Sequence, residues 1–402
     1  MRIRVGDFRL GNEEKKAIQE VIDSGRISEG RKTREFEEEF AKYIGTKYCV
    51  ALNSGTSALI AGLFALRHHS KFKIEVLSKV ITSPLTYVAT SNAIVLSGLE
   101  PTFVDIDRQT FVITPENIKP LLLDRRWSKG VKIILPVHLI GYPCNMNAIN
   151  KIAQENNLIT VEDSAQAHGT LYDGKKTGSL SLFAIFSFYI AHNIQAGELG
   201  ALTTNDAEIF KLVKSIKANG RICDCAVCRR NEGECPRMGK LDDDDSDPRF
   251  THNLIGFNFK ILEFQAALGL IQLKKVDWII EKRSENVKYL NQHLSNFADI
   301  LQTPVYKPEV SYLAYPLVLN NRKRINRNKL RIELEKRGIE TRPLFGCIPT
   351  QQPAYHHLKK IYQNRLPNAD YIGANGFYIG CHQYLTKEDL DYIIKSFREI
   401  LK

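Results

Sequence analysis

Three short stretches of this chain carry side chains whose types and order could do chemistry. NSGTSAL, from Asn53 to Leu59, sets Gly55, Thr56 and Ser57 where a strand-like run gives way to a helix-like one. Free amides and hydroxyls at a helix start bind phosphate, although Ser and Thr are equally ordinary helix caps. VEDSAQAHG, from Val161 to Gly169, ends another strand-like run with Asp163, a carboxylate that alone reads as a cap. FSFYIAHN, from Phe186 to Asn193, offers Ser187 as a further phosphate ligand and His192 as an imidazole that can move a proton near neutral pH. A fourth stretch, RICDCAVCRRNEGEC, brings Cys223, Cys225, Cys228 and Cys235 together. Four thiolates hold an iron–sulfur cluster or a structural zinc, and their spacing alone does not choose.

Something must position these groups. From Lys47 to about Asn205 short apolar runs such as PTFVDID, VKIILPVHLIG and LFAIFSFYIAH alternate with helix-like runs and end in polar or glycine-bearing loops. That alternation predicts an α/β domain on a mostly parallel sheet, with ligands at the carboxyl ends of the strands. TSPLTYVATSNAI places Tyr87 on one such loop as a candidate ring-stacking face. The pattern breaks between Gly220 and Thr251, where the cysteines and LDDDDSDPRF read as an insertion, 221–250, whose acidic run Asp242 to Asp245 reads as a solvated loop. Helical periodicity returns over Ile261 to Leu294. The expected division is a large domain over 1–279 and a smaller α+β domain over 280–402.

With 402 residues, 43% of them hydrophobic and 25% charged, the chain matches ordinary globular composition. The start MRIRVGDFRLGNEEKK lacks an apolar signal core and no apolar run spans a bilayer, so a cytoplasmic protein with no membrane partner is expected. In that setting eight cysteines, four clustered, point to metal before disulfides. The net charge of +11 is spread among interleaved acids, as in RKTREFEEEFAKY, which suits a phosphorylated substrate better than nucleic acid.

Taken in order, these motifs resemble the sugar-modifying branch of the fold type I pyridoxal-phosphate enzymes, the DegT-type nucleotide-sugar aminotransferases. The resemblance covers nearly the whole chain and includes GRKTREFEEEFAKYIGTKYCVALNSGTSAL, TSPLTYVATSNAIVLSGLEPTFVDID, VEDSAQAHGT and NLIGFNFKILEFQAALG. It implies a large domain with a seven-stranded, mostly parallel sheet. It also implies that Asp163 pairs with the pyridinium nitrogen, that Gln166 meets the ring hydroxyl edge, and that Asn258 reaches the phosphate of a neighbouring subunit in a homodimer.

In that family the residue matching His192 is a lysine that tethers the cofactor and moves the proton of transamination. Histidine keeps the base and loses the tether, which suits loss of a sugar hydroxyl from a non-covalently held pyridoxamine 5'-phosphate or pyridoxal 5'-phosphate. The same replacement marks a subgroup, the 3-dehydratases of 4-keto-6-deoxy nucleotide sugars, which GIETRPLFGCIPTQQPAY and LPNADYIGANGFYIG also resemble. The place of the four cysteines, just ahead of HNLIGFNFK, is similar to that in the iron–sulfur 3-dehydratase subgroup. The resemblance implies a 2Fe-2S centre on the four cysteines, fed by an external reductase, that supplies two electrons for net C3 deoxygenation of a nucleotide-diphosphate sugar. Competing expectations are a redox-neutral 3-dehydratase or sugar aminotransferase with structural zinc, the latter calling on Lys175 or Lys176, and a non-catalytic binding or sensor protein.

Overall fold

A computed structural model describes residues 3–223, 225, 235, 247–320 and 325–401. Its first large element is a sheet built from β1 (Tyr48–Leu52), β2 (Lys79–Thr82), β3 (Glu100–Phe103), β4 (Val131–Leu135), β5 (Ile159–Thr160), β6 (Glu162–Asp163), and, after the small hairpin of β7 (Leu171–Tyr172) and β8 (Lys175–Lys176), β9 (Phe183–Ser187) and β10 (Gly200–Thr204). Their sequences, such as VKIIL and FAIFS, are nearly continuous apolar runs, as strands covered on both faces require.

Two four-stranded halves, β3-β2-β4-β5 and β1-β10-β9-β6, meet where only Val161 separates β5 from β6. Val161 N–H donates to Ile134 O at 3.0 Å and Asp163 N–H to Pro136 O at 2.9 Å, so β5 and β6 act as one strand. The result is the seven-stranded sheet β3-β2-β4-β5/β6-β9-β10-β1, in which only β10 runs against its neighbours. Strands β1, β6 and β9 therefore end on one edge. The hairpin turn at Asp173 and Gly174, with φ of 49° and 74°, bears out the turn expected at YDGKKTG.

The second sheet is antiparallel, in the order β11 (Leu301–Gln302), β12 (Tyr315–Leu319), β14 (Gly376–Ile379), β13 (Thr341–Pro343). Helices Arg327–Lys336 and Lys387–Leu401 accompany it. The chain's start joins this part, since Ile3 bridges Ile339 and Val5 N–H donates to Glu340 at 2.9 Å.

The long helical run splits at Lys275 into Glu263–Lys274 and the 19-residue helix Val276–Leu294. Lys275 is drawn aside by Glu13 and Glu14, at 2.8 and 2.7 Å. The second helix buries Val276, Ile279, Arg283, Asn286, Val287, Leu290 and Leu294 along one face. The expected division at 279/280 falls inside it.

Candidate active site

The first turn of helix Gly55–His68 leaves its leading amides without intrahelical acceptors. Ser54 caps it: its Oγ accepts from Ser57 N–H at 3.1 Å and meets Ser57 Oγ at 2.9 Å. Ser57 is thus buried and already bonded, whereas the amides of Gly55 and Thr56 precede the cap bond and are the pair open to an anion. Backbones crowd here. A Cβ on Gly55 would lie 2.8 Å from Ser187 Cβ, and one on Gly200 would lie 2.1 Å from Ser54 O. These two glycines let β9 and β10 press against the helix start, which places Ser187 beside Gly55.

Asp163 ends β6, in parallel register with β9 through Ile185. Its carboxylate is buried, accepts from Thr90 Oγ1 at 2.8 Å and from Ala165 N–H at 3.2 Å, and has no ion pair among the described residues. Burial pushes its pKa up, against those two donors. A deeply buried carboxylate without a cation fits a ligand that brings its own N–H cation. Thr90 lies on helix Ala89–Leu96, one turn past Tyr87, whose carbonyl accepts Thr90 N–H at 3.2 Å. The same helix start therefore serves Asp163 and presents Tyr87, which is 61% exposed and has the Phe345 ring edge-on at 6.2 Å.

Gln166 Oε1 accepts from Ile140 N–H at 2.9 Å, which fixes the amide so that Nε2 is the end left for a ligand. Ile140 is β-branched with a φ of 58°, a strained backbone held by that bond. His192 follows β9 in a turn closed by His192 N–H to Tyr189 O at 2.8 Å and Ala196 N–H to Phe188 O at 2.9 Å. Its Nδ1 faces Tyr189 O at 3.3 Å, which puts the proton on Nδ1 and leaves Nε2 as the basic atom. Burial pushes the imidazole down to about 4, opposed by the Tyr189 carbonyl and reinforced by Arg283 and Arg342. His168, fully buried, stands 6.1 Å away ring to ring.

Asn258 is exposed on a segment that pairs with Ala218 and, through Phe259 O, accepts Asn53 N–H at 3.0 Å. The structure thus gathers Gly55, Thr56 and Ser187 on one side and Asp163, Gln166 and Tyr87 on the other, all at the carboxyl edge of the sheet. These features fit a pyridine ring bearing a phosphate. Ser54 and Thr90 are site residues that the sequence reading passed over. Ser54 was signalled by its place directly before a helix run, and Thr90 by its spacing of three from Tyr87.

Cys223, Cys225 and Cys235 are half-buried, while Cys228 and the run Asp242 to Asp245 lie outside the described residues. Among the described residues no three His, Cys, Asp or Glu side chains gather as a metal-holding group. The base of the loop is tied, with Ile222 N–H on Thr251 O at 3.0 Å and Cys223 N–H on Pro248 O at 3.3 Å. Cys49, Cys144, Cys347 and Cys381 are buried, as core residues. Among the described residues no helix is long and apolar enough to cross a membrane.

Residues 9–398 match the DegT/DnrJ/EryC1/StrS aminotransferase family. The chain is 31% identical over 396 residues to the GDP-4-keto-6-deoxy-D-mannose 3-dehydratase of Escherichia coli O55:H7, covering 97% of this chain and 96% of that protein. It is 32% identical over 407 residues to the GDP-perosamine synthase of Caulobacter vibrioides, covering 100% and 98%. A solved structure of the E. coli GDP-4-keto-6-deoxy-D-mannose-3-dehydratase with bound hydrated pyridoxal phosphate aligns with a TM-score of 0.86 at 29% identity, over 100% of this chain and 99% of that one.

Proposed function

Because this chain belongs to the DegT/DnrJ/EryC1/StrS aminotransferase family, with the fold of its pyridoxal-phosphate enzymes, we propose that it removes the C3 hydroxyl of a nucleotide-linked 4-keto-6-deoxyhexose using pyridoxamine phosphate. The observation that carries this reading is His192, whose Nδ1 is turned to the Tyr189 carbonyl so that Nε2 is the basic atom, where a tethering lysine is expected. Two lysines that could substitute are engaged elsewhere. Lys176 lies over the Tyr43 ring at 4.4 Å, beside Lys175 in the hairpin. Lys217, buried, holds Ala51 O at 2.9 Å and Glu29 at 2.9 Å, and although burial opposes its charge, Glu37 and Glu29 raise its pKa, so it stays protonated.

When bound, the pyridoxamine form supplies an amine that joins the sugar ketone and a ring that accepts an electron pair. Asp163 keeps the ring nitrogen protonated, and Thr90 and Ala165 N–H keep Asp163 aimed. The amides of Gly55 and Thr56, with Ser187, hold the phosphate, and Tyr87 covers a ring face. His192 Nε2 would take the proton released at the cofactor's C4′ carbon and pass it to the C3 hydroxyl, which would leave as water. Asn258 is exposed, as are Phe250 and Ile255 earlier in the same stretch, which supports a homodimer in which Asn258 serves the partner's phosphate.

Loss of water is redox-neutral, whereas the 3-deoxy product requires two electrons. The four clustered cysteines and the tied base of their loop support a metal centre fed by an external reductase. Among the described residues Cys223, Cys225 and Cys235 are not assembled into a ligand set. Iron, sulfide and zinc analysis after anaerobic purification decides between a 2Fe-2S centre and zinc.

The test of the main reading is turnover of CDP-, dTDP- and GDP-4-keto-6-deoxyhexoses by the pyridoxamine-phosphate-loaded protein, followed at C3 by NMR. The expected result is loss of the C3 hydroxyl, slowed about 10² to 10⁴-fold in His192→Gln with cofactor affinity unchanged. Formation of a 4-amino sugar with C3 intact would make it an aminotransferase. Cofactor binding with no turnover of any of the three would make it a binding protein.

A further inference from the structure

Helix Val276–Leu294 places Arg283, at 0% exposure, on a buried face that is apolar apart from it and Asn286. A buried charge is expensive unless paired, yet no carboxylate pairs with Arg283 among the described residues. Its guanidinium is held by carbonyls instead: Nη1 donates to Leu313 O at 2.6 Å and Tyr312 O at 3.4 Å, Nε to Gln383 Oε1 at 3.3 Å, and Nη2 to His192 O at 3.4 Å. One side chain thus joins three segments distant in sequence: the turn that carries His192, the strand entry at 311–313 and the segment after β14. Asn286, one turn on, fixes that last segment through Cys381 O and His382 O at 3.3 and 3.0 Å.

The groups around the guanidinium are neutral acceptors and imidazoles. Cys381, His382, His168 and His192 face it, and burial together with Arg283 holds the pKa of each of the three imidazoles below its ordinary value. Around His192 the charged and titratable groups are Arg283 from the helix, Arg342 from β13, His168 from the loop after β6 and Tyr189 of its own turn. Arg342 is paired with Glu340 at 2.9 Å. Arg283 has no carboxylate partner among the described residues; its neighbours are the Cys381 thiol and the carbonyls that hold it.

We propose that Arg283 is a positioning residue for His192: it clamps the turn that carries the imidazole through the His192 carbonyl, and its buried cation, with no carboxylate beside it among the described residues, adds to the burial that disfavours a second positive charge there. The proposal rests on the reading of His192 as the base, but its test does not use turnover.

Histidine ring carbons are labelled in the cofactor-free protein and His192 is assigned by the signal missing in His192→Gln. In Arg283→Met the His192 pKa should rise by about one unit, a tenfold change in proton affinity. In Arg283→Lys the charge stays and the pKa should stay low, while amide exchange over 189–197 should speed up at least severalfold because the carbonyl clamp is lost. A pKa in Arg283→Met within about 0.2 of wild type overturns the electrostatic half. Wild-type exchange in Arg283→Lys overturns the clamp, and this second variant serves if the methionine variant does not fold. An inactive His192→Gln with either result, or an active one, speaks to the base reading alone.

Discussion

Two buried carboxylates of this protein, Asp163 at 6% exposure and Glu263 at 4%, are treated in opposite ways. Glu263 lies at the start of its own helix and accepts from Gly30 N–H at 2.7 Å, Lys32 N–H at 2.7 Å, and both Thr33 N–H at 2.9 Å and Thr33 Oγ1 at 2.5 Å. It closes the amino end of helix Arg31–Ile44 from more than two hundred residues away. Its oxygens are fully used. Asp163 has two neutral donors and a raised pKa. The difference is in the number of donors, four on Glu263 against two on Asp163, so the fold fills the first carboxylate and leaves acceptor positions open on the second. His192 is the mirror case, a base with Arg283 on its carbonyl and the buried His168 6.1 Å from its ring.

Replacing each carboxylate breaks or sharpens the contrast. Asp163→Asn should lower turnover about 10³-fold, which is about 4 kcal/mol of transition-state stabilisation. The cofactor-free protein should unfold at the same denaturant concentration as wild type or slightly higher, because an uncompensated buried charge has been removed. A rate within tenfold of wild type would end its assignment as the ring-nitrogen partner. Glu263→Ala should do the reverse. It orphans the leading amides of a helix and costs about 3 kcal/mol of stability by urea unfolding, with the turnover of the remaining folded protein near normal at low temperature.

The imidazoles give a third, smaller difference. His382, 3% exposed, is pushed down to about 4 by burial and by Arg283. Its unfolded counterpart takes up a proton near 6.5, so its contribution to stability is complete above that pH and is lost as the pH falls toward 4. Asp163, with a raised pKa, works in the opposite sense. Comparing urea unfolding at pH 7 and 4.5, His382→Asn should lose about 2 kcal/mol less than wild type. Equal losses would mean that His382 is not held neutral.

How much of this was legible in the sequence follows from how local each interaction is. The strand ends, the glycine-bearing turn at Gly55, Asp163 and Ser187 are written in short contiguous patterns, because a strand that stops at a ligand must change composition there. The join of β5 and β6 into one strand also follows from a single apolar run. Glu263 and Arg283 were not readable in this way. Each acts on segments tens to hundreds of residues away, and only the polar interruption of the stripe Val276, Ile279, Val287, Leu290 hints that position 283 has a buried polar task. The cysteine-rich insertion is the extreme. Its composition raises the expectation of a metal, but Cys228 and Asp242 to Asp245 lie outside the described residues, and no periodicity in the stretch constrains a fold.

The smallest expected effect tests whether the aim of Asp163 matters apart from its charge. Thr90 Oγ1 stands between Thr86 Oγ1 at 3.0 Å and Asp163 Oδ2 at 2.8 Å, so its hydroxyl donates to the carboxylate while accepting from Thr86. Thr90→Val keeps shape and helix geometry and deletes that one donor. Loss of a hydrogen bond to a charged group is worth about 1.5 kcal/mol, or about tenfold in turnover. The carboxylate's pKa should rise further, since one of its two opposing donors is gone. Activity should therefore fall at low pH before it falls at neutral pH, shifting the acidic limb of the pH profile upward. A uniform tenfold loss at every pH would mean that Thr90 only holds the helix bearing Tyr87, and the carboxylate would then be aimed by Ala165 N–H alone.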